Sequence, residues 1–207
     1  MVRPISEIRR PEIVKGAIAA LAKNGLSMLS YDLIAEEAEM SRQLIRHYFP
    51  DTELLMLAVC DELATAYRDA LSRGIVATGS TGRLDTFLDF YFDLLAGNGP
   101  TKPQDDAAYD AMFAVATGSD AVRRNLHAHY TGLRDVIADE VRIGHPSLDH
   151  TECKEIGFLF VSLMYGHWRM VATLGFSDDN NAVTRAAMDR IVASYLDRTV
   201  CATAATG

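Results

Sequence analysis

Two serines eleven residues apart, Ser30 and Ser41, constrain this 207-residue chain more than any other feature. Each precedes a short run with apolar residues at helical spacing. A serine hydroxyl placed there accepts a hydrogen bond from a backbone N–H that the helix start would otherwise orphan. Leu29 and Ile34 occupy the two staple positions around Ser30, and Met40 and Ile45 those around Ser41. The interval holds about two turns of helix and a turn of about three or four residues. Residues 30–49, SYDLIAEEAEMSRQLIRHYF, are therefore expected to form two short helices in helix-turn-helix spacing.

The second of these helices sorts its faces. Ile45 and Phe49, four apart, point inward beside the small residues Ala35 and Ala38. Gln43, Arg46 and His47 fall on the opposite side of the wheel, with Arg42 at the N-terminal flank. No acid occurs from Ser41 to Tyr48, although the chain as a whole has more acids than bases. A solvated face usually mixes signs, so a face of donors alone suits an acceptor-rich partner. Arginine and glutamine read guanine and adenine edges with paired hydrogen bonds. The alternative is a small capped hairpin that only packs.

The segment resembles the DNA-binding domain of the TetR family of bacterial transcriptional regulators. That pattern has a first helix of small and apolar residues ending in Gly, then Thr-Val-x-x-Ile-Ala, a turn, and Ser-x-x-x-Leu-Tyr-x-Tyr-Phe-x-x-Lys-x-x-Leu. Here Ala17, Ala20 and Gly25 are followed by Ser30, Tyr31, Ile34 and Ala35, then Ala38, Ser41, Ile45, Tyr48, Phe49, Glu53 and Leu55. The match spans roughly residues 9–56. Four positions depart from it: Glu39 replaces the turn Gly, Leu44 a small hydroxyl residue, Arg46 a Tyr that touches DNA, and Thr52 a phosphate-gripping Lys. Glu39 in a left-handed turn costs around 1 kcal/mol or more. Arg46 can release a counterion in place of the Lys that Thr52 replaces. The resemblance implies DNA contacts at Ser30, Tyr31, Ser41, Arg42, Gln43, Leu44, Arg46, His47, Tyr48 and Thr52.

Charge argues the other way. Residues 1–55 carry seven Lys/Arg and eight Asp/Glu, a net −1, and the remaining 152 carry thirteen and twenty, a net −7. A nucleic-acid binder more often has a basic domain, so the bases here must act locally, at Arg3, Arg9, Arg10, Lys15, Arg42 and Arg46. Three scattered cysteines, Cys60, Cys153 and Cys201, fit a reducing cytoplasm and no disulfide framework. No apolar run follows the first charges, so no secretory signal is expected.

The rest of the chain reads as helix, and the fold class as all-α. Residues 1–8 are expected to be a flexible arm, with Pro11 in the first turn of a helix that Asn24-Gly25 ends. Asp51 caps a rod of about 20 residues, some 30 Å long, carrying Leu55, Val59, Leu63, Ala66 and Ala70 towards Gly74. Breaks follow at 77–82, 97–105, 117–120, 144–146 and 175–179, and an amphipathic helix holds Leu126, Tyr130, Leu133, Ile137 and Val141. Residues 156–176 are apolar nearly all round, which in a soluble chain means burial on every side. A last helix with Val183, Ala187, Ile191, Ser194 and Tyr195 in one stripe lies after it. A twofold dimer through residues of about 147–174 and 178–199, in a four-helix bundle, would cover both, as the resemblance also implies. The core helix of a monomer is the alternative.

The expected organisation is a helix-turn-helix DNA-binding domain over 1–55, a helical effector-binding and dimerisation domain over 56–200, and a disordered tail over 201–207. The sequence carries no enzyme motif or cofactor fingerprint, and no membrane span is expected. His145, His150 and Cys153, like His127 and His129, lack the paired spacing of a metal site. Tyr91, Tyr109, Met112, Phe113, Tyr130, Phe160, Met164 and Trp168 suit either an ordinary core or a ligand pocket; the resemblance favours a small-molecule effector cavity. The function expected is a DNA-binding transcriptional regulator, a homodimeric repressor of palindromic double-stranded operator DNA released by a small apolar or aromatic effector. The alternative is a helical ligand-binding or adaptor protein whose helix-turn-helix no longer reads DNA.

Overall fold

The computed structural model describes residues 5–78, 82–95 and 106–204. Among them the elements are α1 (Ile5–Asn24), a 3₁₀ turn (Leu26–Met28), α2 (Tyr31–Glu37), α3 (Arg42–Tyr48), α4 (Thr52–Thr78), α5 (Arg83–Tyr91), α6 (Asp106–Ala116), α7 (Asp120–Gly144), α8 (His150–Trp168), a π-helical turn (Arg169–Thr173) and α9 (Asn180–Ala204). No strand occurs among the described residues, and none of the described helices is long and apolar enough to cross a membrane. The break expected at 97–105 lies outside the described residues, as do 79–81 of the break at 77–82, residues 1–4 of the arm and 205–207 of the tail.

The chain forms two compact units, Met1–Ala66 with Gln104–Ala128, and Tyr67–Pro103 with His129–Gly207. In the first unit, α1 packs against α2, α3 and α6. Ile13, Ala17, Ala20 and Leu21 of α1 are all fully buried, as are Ile45, Phe49, Leu55 and Val59. Gly16 is where α1 and the end of α2 come closest: a Cβ there would stand 2.7 Å from the Ala38 Cβ and 2.9 Å from its backbone nitrogen. Asn125 of α7 donates to Asp61 of α4 at 3.0 Å, and Ser119 donates to Glu53.

One expectation fails here. Pro11 is not in the first turn, because α1 begins at Ile5 and runs through it. Proline removes one intrahelical N–H and crowds the preceding turn. That turn is held from outside: the Arg10 guanidinium lies 4.4 Å from the centre of the Phe49 ring and donates to the Tyr48 carbonyl at 3.3 Å.

The second unit has an aromatic core in which Phe87, Phe90, Phe92 and Phe160 are buried together with Ile137, Val141 and Ile156. Gly157 brings α8 against α7, since a Cβ at that position would meet the Arg134 carbonyl at 2.5 Å. Arg185 of α9 ties that helix to α5 through Asp89 (Nε, 2.8 Å) and Asp85 (Nη2, 2.8 Å), and also pairs with Asp189. Asp149 and Glu152 form a reciprocal capping box that starts α8. After Trp168 the helix widens to π geometry, with the Leu174 N–H bonding to the Arg169 carbonyl, and Gly175 at φ 73° ends it.

The apolar stripe expected on α9 is only partly buried in the single chain. Met188, Val192 and Tyr195 turn into the core, while Val183 is 60% exposed and Ser194 is exposed. Small and apolar residues on both sides leave the sequence wheel nearly flat, and contact with α5 and α8 decides the rotation. The last helix continues through Ala204.

Candidate nucleic-acid interface

Both serine caps are in place. Ser30 Oγ accepts from the Leu33 N–H at 3.3 Å, and Ser41 Oγ accepts from the Leu44 N–H at 3.2 Å. Between them α2 closes with the Ala38 N–H on the Ile34 carbonyl and the Met40 N–H on the Ala35 carbonyl, each 2.9 Å. Glu39 makes the turn at φ 52°, a left-handed conformation that costs about 1–2 kcal/mol for a residue with a Cβ. Asp51 then caps α4 by accepting from the Glu53 N–H at 2.8 Å, which leaves Thr52 exposed in its first turn.

The faces of α3 fall as its spacing requires. Ile45 and Phe49 are fully buried, and Gln43, Arg46 and His47 are exposed. Leu44 and Tyr48 are half-buried, the latter with its ring edge against His47 at 5.3 Å between centroids. Tyr31 is half-buried and donates its hydroxyl to the Phe49 carbonyl at 3.0 Å; the Arg46 guanidinium lies 5.5 Å from its ring centre. That cation–π contact restrains Arg46 without using up its hydrogen-bond donors.

The acid-free face of α3 is bordered by an acid of α2. Within α3 there is no acid, yet Asp32 of α2 sits against Arg42, whose Nη1 is 3.1 and 3.3 Å from the two carboxylate oxygens. Sequence spacing does not reveal Asp32, because the pairing joins the first turns of two different helices. Only the fold brings them together. Gln43, Arg46 and His47 thus form an exposed donor surface on one short helix, flanked by an arginine already facing a carboxylate.

The aromatic and methionine candidates divide between the units. Tyr109, Met112 and Phe113 belong to α6 in the first; Tyr91, Tyr130, Phe160, Met164 and Trp168 belong to the second. In the second unit Tyr91 stacks on Tyr67 (6.1 Å between centroids, 9° between planes) and meets Phe160 edge-on at 5.5 Å. Burial pushes the Tyr91 phenol well above its ordinary value. Trp168 donates its indole N–H to the Tyr91 carbonyl at 2.9 Å. Met164 is buried and Tyr130 half-buried. Beside Trp168, the buried His167 is held at both ring nitrogens, by Asn181 Oδ1 and Thr184 Oγ1, each at 2.9 Å. In the sequence His167 stands out only as a polar interruption of an apolar helix. An open groove elsewhere in the unit is lined by Arg134, His150, Lys154, Phe158, Leu159 and Tyr195, and by none of the aromatic or methionine candidates.

Residues 13–59 match the family of bacterial regulatory proteins, tetR family. Over 174 residues the chain is 24% identical to the HTH-type transcriptional regulator BetI of Escherichia coli O17:K52:H18, covering 83% of this chain and 86% of that protein. Two solved structures share its fold. The multidrug binding protein EbrR, complexed with ethidium, superposes with a TM-score of 0.66 at 17% identity, over 88% of this chain and 98% of that one. A protein from Saccharomonospora viridis solved in complex with choline gives a TM-score of 0.69 at 19% identity, over 90% and 96% of the two chains.

Proposed function

We propose that this chain, whose residues 13–59 match the tetR family of bacterial regulatory proteins, is a homodimeric repressor of that family that reads a palindromic operator through α3 and is released by a small effector. One observation carries the reading: α3 buries Ile45 and Phe49 and turns Gln43, Arg46 and His47 outward as exposed donors. Arg46 is suited to the O6 and N7 of guanine and Gln43 to adenine, each a bidentate contact. Ser30, Tyr31, Ser41, Arg42, Leu44, Tyr48 and Thr52 border that surface and serve register, chiefly against phosphate and sugar. In this division of labour residues 1–55 bind DNA and 56–200 bind the effector and the second subunit.

Exposed apolar side chains support the dimer. Phe158 on α8, Leu174 and Phe176 after it, and Val183 on α9 are 62%, 63%, 56% and 60% exposed. Large apolar residues gathered on neighbouring segments mark an interaction surface, and a twofold partner presents the same surface in return. Two reading helices then enter successive major grooves about 34–36 Å apart.

The effector reading rests on chemistry of the same kind. EbrR is complexed with ethidium and the Saccharomonospora viridis protein with choline, both organic cations. Tyr91, Phe160, Met164 and Trp168 offer ring faces and a thioether to an apolar or aromatic molecule, and ring faces also attract cations. An effector releases DNA only if it binds the wrongly spaced dimer better than the DNA-competent one. A coupling of about 1–3 kcal/mol is typical, and operator must weaken effector binding by the same factor.

Selection of bound duplexes from a random-sequence library, followed by footprinting, tests the reading in the cytoplasmic, reducing conditions it assumes. A palindrome with half-sites about one helical turn apart is expected. Enrichment of no sequence would favour the alternative, a helical ligand-binding or adaptor protein.

A further inference from the structure

An exposed ion pair lies at the edge of the reading surface. We propose that Asp32 competes with DNA phosphates for Arg42 and so holds down the protein's sequence-independent affinity for duplex DNA. The inference rests on the regulator reading above and adds a residue that limits binding. Arg42 and Asp32 stand in the first turns of α3 and α2, and Nη1 of the arginine faces both carboxylate oxygens at 3.1 and 3.3 Å. Both side chains are well exposed, 54% and 68%. A pair of that kind is weak and opens readily. Opened, Arg42 can reach a phosphate and release a counterion. Closed, it presents no net charge.

The surroundings make this one pairing matter. Residues 1–55 carry a net −1, so sequence-independent attraction depends on a few bases. Lys23 is engaged by Glu37 at 2.7 Å and Arg9 by Glu12 at 2.9 Å. Asp32 also sits in the first turn of α2, where the helix dipole favours an acid. That role would stabilise α2 but would leave the salt dependence of DNA binding untouched. A carboxylate can instead accept from the amino group of cytosine, and would then affect one base position only. The two roles and the competition differ in what they do to salt dependence and to sequence.

Fluorescence anisotropy on the full chain, with a random-sequence duplex and a selected operator duplex across a KCl series, separates them. The variants are Asp32→Asn, Asp32→Ser, Arg42→Ala and the double variant Asp32→Asn/Arg42→Ala. Competition predicts that both Asp32 variants tighten both duplexes by about three- to tenfold at low salt and steepen the salt slope by about one. In the Arg42→Ala background most of that gain should vanish. Unchanged or weakened binding in both Asp32 variants overturns the proposal. So does a change confined to one sequence with no change of slope, which would make Asp32 a base reader. A gain of full size without Arg42 overturns it too, because the carboxylate would then act by direct repulsion. Wild-type protein that binds neither duplex removes the regulator reading as well. Wild type that binds operator while the Asp32 variants behave identically removes only this inference.

Discussion

The helices α2 and α3 and the helices α8 and α9 pose opposite problems to a reader of the sequence. In the first pair every decisive signal is local: two serine caps, two staples, and two inward apolar residues four apart. The structure has Ser30 and Ser41 on the expected N–H groups and Ile45 and Phe49 fully buried. In the second pair apolar residues occur on nearly every face, so periodicity does not say which side turns inward. Burial of Met188, Val192 and Tyr195 with Val183 left exposed comes from packing against the rest of the unit. Polar pattern fixes a rotation; its absence leaves the rotation to tertiary contact.

Core truncations should have the largest effects and should treat both regions alike. Phe49→Ala and Phe160→Ala each remove a fully buried ring and should cost about 3–5 kcal/mol in urea unfolding. A cost below about 1 kcal/mol at either would mean that its site collapses freely, and the comparison of two packed cores would break. Next comes the exposed surface of α8. Phe158→Glu puts a charge at a position 62% exposed in the single chain. It should weaken self-association by about 2 kcal/mol or more, producing monomers by sedimentation at micromolar concentration. A wild type that already sediments as a monomer would remove the dimer.

Close helix contacts come third. Gly16→Ala and Gly157→Ala force a Cβ against backbone at 2.9 and 2.5 Å, and should each cost about 1–3 kcal/mol. Gly132→Ala on α7 meets nothing within 4 Å and should be neutral or stabilising by up to about 1 kcal/mol. The smallest effect is that of Cys60 near neutral pH. Burial, with Asp61 adding to it, pushes its thiol from 9.0 up to about 12. Between those values the folded chain holds a proton that the unfolded chain has released, so this group's stabilisation is full below pH 9 and lost as pH rises towards 12. The urea midpoint difference between wild type and Cys60→Ala should therefore be flat from about pH 6 to about 8.5 and shrink above about pH 9.

What is legible in the sequence follows the same division. The serine caps, the Asp51 cap and the outward donors of α3 are readable because each depends on residues within about four positions, whereas the turn at Glu39 is legible only through the family resemblance. The breaks at 117–120, 144–146 and 175–179 are readable because Gly, Pro, Ser and Asp mark them. Three features are not. The start of α1 ahead of Pro11 carries no local signal, and the Arg10 contact with the Phe49 ring joins residues thirty-nine positions apart. The Asp32–Arg42 pair and the His167 contacts with Asn181 and Thr184 likewise join residues that only folding brings together. The grouping of eight aromatic and methionine residues as one ligand set draws on resemblance, and those residues fall in two units.

The central claim is that the outward face of α3 reads DNA, and operator affinity of Arg46→Ala and Gln43→Ala tests it most directly. Both residues are exposed on α3 and neither belongs to the buried core, so folding should survive. Each substitution should lower operator affinity by about 1–3 kcal/mol and relax the preference at one base position, with random-sequence affinity less affected. Operator binding of undiminished affinity and unchanged sequence preference in both variants would contradict the account, because the reading surface would then lie elsewhere.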